Sequence, residues 1–147
     1  MQTKSMTAPT QVGFSNVYAT ANSYQVLYEL LKERTKEQSI SHYHMPTMAE
    51  HIAFVRTIPY DAWYLIESTP PAKKAWVGAI YLTPKREIGI FIFREHQGNG
   101  YATAALAALR RMHPGRILAN INPANEPSLA FFRKHGGREI QITLELP

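Results

Sequence analysis

A glutamate, two histidines and a pair of glycines are the residues whose types and spacing could do chemistry. The glycines stand in the run Gln97-Gly98-Asn99-Gly100-Tyr101-Ala102-Thr103. An apolar run precedes it and an alanine-rich stretch follows. Glycine lets a backbone approach a ligand closely or take a positive φ. If the alanine-rich stretch is a helix, its first N–H groups have no partner inside it and point at the turn. That arrangement suits an anion, best of all a phosphate. Glu87, at the head of the apolar run, is a carboxylate, a residue type that moves protons. His44 and His42, in a loop far upstream, are side chains that could do the same. A zinc site from His42, His44 and His51 lacks any Cys or clear carboxylate partner, and no metal is expected.

The glycine turn excludes two familiar phosphate loops. A Walker loop ends in Gly-Lys-Ser/Thr, whereas Gly100 is followed by Tyr101 and Ala102. A dinucleotide fingerprint needs a third glycine, and Thr103 occupies that place. A second polar cluster follows downstream, Asn125-Glu126-Pro127-Ser128, and leads into Phe131-Phe132 and Gly136-Gly137.

Elements must carry these residues. Residues 1–9 are polar and read as a frayed end. Gln11 to Ala19 predicts a first strand. Ser23 to Lys36 predicts a helix with Val26, Leu27, Leu30 and Leu31 on its apolar face. Thr47 and Glu50 spell a capping box that opens a second helix, with Met48, Ile52 and Val55 inside. Ile58-Pro59-Tyr60-Asp61 stops it. Three β-prone runs follow, Ala62–Ser68, Ala75–Thr83 and Glu87–Phe93. Their short connections demand an antiparallel meander. Tyr101 to Met112 predicts a helix ended by His113-Pro114-Gly115. Arg116 to Asn122 reads as a buried strand. Pro127 suits the first turn of a last helix that Gly136-Gly137 terminates. Arg138 to Leu146 alternates strictly and reads as a final strand.

The glycine turn resembles the acyl-CoA pyrophosphate loop of the GNAT superfamily of N-acetyltransferases, Arg/Gln-x-x-Gly-x-Gly/Ala. Asn125, Ser128, Phe132 and Gly136 fall on the positions of that family's closing motif. The two motifs stand in the family's order, separated by one helix and one strand. The resemblance covers residues 60 to 147 well, and the first sixty by order of elements. It implies an α/β (α+β) fold, a single GNAT-type domain over 1–147. The central sheet would be mostly antiparallel, with two splayed strands and about four helices.

The same resemblance implies the chemistry. Acetyl-CoA is the co-substrate, held by Gln97, Gly98, Asn99, Gly100, Tyr101, Ala102 and Thr103. Phe91, Ile92 and Phe93 would bond the pantetheine arm through their backbone, and one of their N–H groups would serve the developing oxyanion. Asn125, Ser128 and Phe132 would contact the coenzyme, with Asn125 also capping the last helix. Many relatives carry a Tyr that protonates the leaving thiolate; here that position is Phe132, and the role has no side chain. Glu87 or His44 would be the base. Residues Met45 to Phe54 resemble a helix of relatives that acetylate amino sugars on nucleotide carriers. His44, Tyr60, Trp63 and Asn122 are the candidates on the acceptor side.

Bulk properties agree with this reading. The 147 residues carry a net charge of +5, with no cysteine, and the sequence pI is about 9.6. A chain of this length can bury a core without disulfides. The basic surplus, dense between Arg94 and Arg138, suits the phosphates of coenzyme A. No recognition helix or aromatic RNA-binding motif is present, so no nucleic-acid partner is expected. No run is long and apolar enough for a membrane, and residues 1–20 lack a signal-peptide pattern, so a cytoplasmic enzyme is expected. Its partner would be a small-molecule amine, and a homodimer is compatible. The alternatives are an enzyme acting on a protein or peptide amine, and a non-catalytic acyl-CoA-binding module.

Overall fold

The structure, a computed structural model, describes residues 9–34 and 44–147. Its centre is a four-stranded antiparallel sheet in the order β1-β2-β3-β4. The strands are β1 (Val12–Asn16), β2 (Ala62–Ser68), β3 (Trp76–Leu82) and β4 (Ile88–Ile92). The last three form the expected meander, with Ile66 opposite Gly78 and Ile80 opposite Ile90. The N-terminal strand is shorter than its sequence suggests. The chain leaves the sheet at Asn16, whose side chain accepts from the Tyr18 N–H and starts a 3-10 turn over Val17–Ala19.

Helices cover both faces. α1 (Ser23–Glu33) and α2 (Met48–Arg56) lie on one, and α3 (Tyr101–Met112) on the other. Each face seals its own core. Leu27, Leu30 and Val55 pack on Trp63, Leu65 and Ala79. Ala105, Leu106 and Leu109 pack on Ile66, Val77, Ile80 and Ile88. Alternation along β2 and β3 supplies both cores from the same strands. The last helix, α4 (Glu126–Lys134), starts where Asn125 accepts from the Ser128 N–H. The last three residues predicted for α1's span include Thr35 and Lys36, which lie outside the described residues, as do His42 and residues 1–8.

Two strands expected from the sequence do not form. Residues 116–122 make one parallel bridge, Leu118 to Glu87. The Ile88 N–H donates to Leu118 O at 2.8 Å and the Leu118 N–H donates to Arg86 O at 2.8 Å. Beyond that point no backbone bond joins 116–122 to β4 among the described residues. The segment is only half-buried, with Arg116 and Asn120 exposed. The tail 138–147 is not a strand either. Ile142, Leu144 and Leu146 are 73, 81 and 86 % exposed, so its alternation buries nothing. Alternation fits a side-chain pattern to a sheet, but the strand itself needs a neighbouring edge to bond.

The capping box forms in both halves: Glu50 N–H donates to Thr47 Oγ1, and Thr47 N–H donates to Glu50 Oε1. It turns α2 so that His51 and Val55 face inward, while Met48 and Ile52 are only half-buried. His51 is 3 % exposed. Its Nε2 lies 3.1 Å from Tyr24 O, which can only accept, so Nε2 carries the proton. Burial lowers the His51 pKa, with the bond to Tyr24 acting weakly the other way. The unfolded chain therefore takes up the second ring proton, on Nδ1, more readily than the folded one. Stability should be complete above about pH 6.5 and fall as pH drops below it, by up to about 1.4 kcal/mol per pH unit for one proton. Urea melts from pH 7.5 to 5 should show this slope, and His51→Gln should flatten it. An equal slope in that variant would assign the effect to other groups.

Candidate active site

The single bridge between β4 and 116–122 opens the site. Arg86 holds the two segments together at one end. Its guanidinium donates to Arg116 O at 3.0 Å and to His113 O at 2.9 Å. From there the segments part, and a cleft of about 840 Å³ opens between them. Glu87, Gly89, Phe91 and Ile92 line one wall, Asn120, Asn122 and Ser128 the other. The end of α1 and His44 to Pro46 close over the top. A second hollow of about 340 Å³ continues past Gly98 and Ala102 to Gly100, Tyr101 and Thr103.

The glycine turn takes the form its composition requires. Gly98 has φ +80° and Gly100 φ +82°. Left-handed backbone at both positions admits glycine with least strain. The first intrahelical bond of α3 runs from the Ala104 N–H to Gly100 O at 3.0 Å. The N–H groups of Tyr101, Ala102 and Thr103 precede it and stay free within the helix. A Cβ on Gly98 would meet no atom within 4 Å, so the space above the turn is open. Free donors, a helix N-terminus and open space fit an anionic group of the size of a diphosphate. The Lys134 side of the second hollow adds a cation.

Other predicted site residues divide between cleft and scaffold. Gln97, Asn125, Ser128 and Phe132 line the cleft. Gln97 Nε2 donates to Ile92 O at 3.1 Å, tying the turn to β4. Asn99 lines neither hollow. Its Nδ2 donates to His96 O and Gln97 O, and its own carbonyl accepts from Thr10 Oγ1. It is a brace of the turn. Phe93 also stands away from the cleft: its side chain packs in the α1 core and its N–H donates to Val77 O at 2.9 Å. Strand alternation then turns the Ile92 N–H toward the gap, since Ile88, at even spacing from it, bonds Leu118 on that side. The Phe91–Phe93 trio thus narrows to one backbone donor facing the cleft.

Glu87 and His44 both line the cleft. Asn120 Nδ2 donates to Glu87 Oε2 across the splay, which holds the carboxylate at the mouth of the gap. Asn120 was not singled out from the sequence. Its only signal is a polar residue inside a stretch that otherwise reads as buried. Of the acceptor-side candidates, Asn122 lines the cleft, but Tyr60 and Trp63 do not. Trp63 is a core residue, 7 % exposed. Tyr60 stacks on Tyr81 with ring centroids 4.0 Å apart, and it is Tyr81 that reaches the cleft. Burial raises both phenols above their usual range, Tyr60 strongly, so they remain protonated donors. Glu50 and His51, the residues that carry the likeness to amino-sugar enzymes, are engaged in the cap of α2 and in the core. Among the described residues no group of three or more potential ligands could hold a metal ion.

Fold and site together define the class, an acyl-CoA-dependent N-acetyltransferase. The model of the acetyltransferase (GNAT) domain family matches residues 18–138, and the chain belongs to that family. Enzymes of this family use acetyl-CoA. No curated protein matches the chain. Among solved structures, a domain from Methanocaldococcus jannaschii DSM 2661 is similar at TM-score 0.73 and 16 % identity, covering 92 % of this chain and 94 % of that one. The Salmonella typhimurium protein yncA, solved with its cofactor acetyl-CoA, gives TM-score 0.57 at 13 % identity, with 88 % and 79 % covered. The spermidine/spermine N-acetyltransferase SpeG of Vibrio cholerae gives 0.60 at 18 % identity, with 86 % and 77 % covered. At these identities the likeness is one of fold. Among the described residues no helix is long and apolar enough to cross a membrane.

Proposed function

We propose that this chain, acting as one cytoplasmic domain, moves the acetyl group of acetyl-CoA to a primary amine of a small molecule. An amino sugar on a nucleotide carrier is the leading acceptor. The observation that carries the reading is one continuous cleft. It has the glycine turn and the α3 N-terminus at one end and Glu87 at the other.

Bound acetyl-CoA supplies the reactive thioester. The free N–H groups of Tyr101, Ala102 and Thr103 hold its diphosphate, and Lys134 adds charge beside them. Gln97 keeps the turn in register with β4. The Ile92 N–H, turned to the gap, donates to the carbonyl oxygen of the acyl group. Glu87, oriented by Asn120, takes the amine proton directly or through one water. His44, on the roof, is the alternative base. Phe132 offers no hydroxyl, so no side chain of α4 is assigned to the leaving thiol. A thiolate is a good leaving group and takes its proton from water.

Acetyl-CoA should bind at micromolar order and raise the melting temperature by linkage. Thiol release from acetyl-CoA with a panel of sugar nucleotides, peptides and polyamines, read by mass spectrometry, tests the transfer. Binding without thiol release on any amine would make this a non-catalytic acyl-CoA module. Failure to bind at millimolar coenzyme would remove the reading.

A further inference from the structure

We propose that the acceptor carries an oxyanion, a phosphate or a carboxylate, and that Arg34 is the residue that binds it. The inference rests on the transferase reading and adds the charge class of its acceptor. Its starting point is a cation with no carboxylate partner among the described residues. Arg34 follows α1 directly and lines the cleft on the roof side. Its guanidinium lies over the Phe91 ring, 4.7 Å from the centroid. Its Nε is buried and has no hydrogen-bond partner among the described residues. Among the described residues Arg34 makes no ion pair.

The acidic groups nearby do not neutralise it. Glu33, its neighbour, also lines the cleft, but Glu33 Oε1 accepts from the Arg94 N–H at 2.7 Å and so fastens α1 to the end of β4. Glu87 accepts from Asn120 at the far end of the same wall. Arg94 and His44 also line the cleft and bring positive or neutral groups. A guanidinium at the wall of a cleft, with no carboxylate partner among the described residues, is suited to bind a carboxylate or phosphate.

The wall below Arg34 is shaped for such a ligand. Glu87, Gly89 and Phe91 share one face of β4, spaced about 7 Å apart along the strand. Tyr81 crosses from β3 to lie over Gly89. A Cβ at Gly89 would stand 2.3 Å from the Tyr81 ring and 2.6 Å from its hydroxyl. Glycine at 89 therefore leaves room for the phenol to reach the cleft. The order along the wall is a carboxylate at Glu87, a protonated hydroxyl from Tyr81 and a cation at Arg34. An acceptor fits with its amine toward Glu87 and an oxyanion several bonds away on Arg34, with Tyr81 as a second donor. A polyamine would instead put a cation against Arg34, at a repulsive cost.

The test compares matched amines that differ in the anion. Glucosamine 1-phosphate is set against glucosamine, 5-aminopentanoate against pentylamine, and spermidine is the cationic arm. With acetyl-CoA saturating, the wild type should favour one member that carries the oxyanion over its partner that lacks it by about tenfold or more in kcat/KM, the size of one hydrogen bond between charged groups. The phosphate and carboxylate arms decide which oxyanion it is. In Arg34→Gln that ratio should collapse toward about one, and Arg34→Lys, which keeps the charge, should recover part of it. Equal rates within both pairs, preference for spermidine, or an anion preference that survives in Arg34→Gln would overturn the proposal. Were no amine to turn over, calorimetry with the coenzyme-A-loaded protein reads the same contrast. Glucosamine 1-phosphate binding in preference to glucosamine, lost in Arg34→Gln, would support the oxyanion site while the transferase reading fails. No preference would overturn it.

Discussion

Glu87→Gln should lose about a hundredfold or more in turnover at neutral pH, the usual size of a general-base contribution. The structure makes this substitution a clean one. Asn120 Nδ2 donates to Glu87 Oε2, and a glutamine oxygen can accept the same bond. The backbone of residue 87 is held independently, by its N–H to Thr83 Oγ1 at 3.0 Å and its carbonyl to the Thr83 N–H at 2.9 Å. The shape of the splay should therefore persist while the basicity goes. Acetyl-CoA affinity should hold, because the glycine turn lies at the other end of the cleft. The deficit should shrink at high pH, where more of the amine arrives neutral. Near-normal turnover at every pH would leave Glu87 as a prop for Asn120. The proton would then pass to His44 or to water, and His44→Ala becomes the next measurement.

The second large effect belongs to the turn. Gly98→Val should weaken acetyl-CoA binding by about two orders of magnitude, equivalent to one or two hydrogen bonds to a charged group. A Cβ at Gly98 meets nothing within 4 Å, so the new side chain clashes with no protein atom. It occupies the open space that the diphosphate needs. The left-handed backbone at φ +80° adds strain of about 1–3 kcal/mol, which a lower melting temperature would register separately. Gly100→Val should abolish binding, but less cleanly. There a Cβ would stand 3.3 Å from Thr10 Oγ1, the group that bonds Asn99 O and braces the turn. Calorimetry on the folded variants measures both. Unchanged affinity in folded Gly98→Val would make the turn a plain connector between β4 and α3.

Most of the site's frame was legible in the sequence because its signals are local. Gly98 and Gly100 mark a backbone conformation that needs no distant partner to specify it. Pro127 after Asn125 marks a helix start, and Thr47 with Glu50 marks another; all three features form as read. The apolar runs with short turns between them leave an antiparallel meander as the available pairing. α3 begins and ends where its spacing and the following His113-Pro114-Gly115 predict.

What depends on a second segment was decided only by the tertiary structure. Residues 116–122 read as a buried strand, yet Arg86 ties their start to β4 and the rest diverges, which creates the cleft. The tail alternates as a strand would, yet among the described residues it bonds no edge. His51, in the stretch that resembles amino-sugar enzymes, turns into the core because the capping box fixes the rotation of α2. Tyr60 and Trp63 are hidden behind Tyr81, whose reach depends on Gly89 in the neighbouring strand. Arg34 looks in sequence like one more charge near the wet end of a helix. Only the approach of α1 to Phe91 makes it a half-buried cation facing a cleft. Backbone conformation and helix caps are fixed within a few residues, so sequence determines them. Strand length, side-chain burial and the charge of a cleft arise from segments that meet in space, and a single stretch of sequence holds only one side of each meeting.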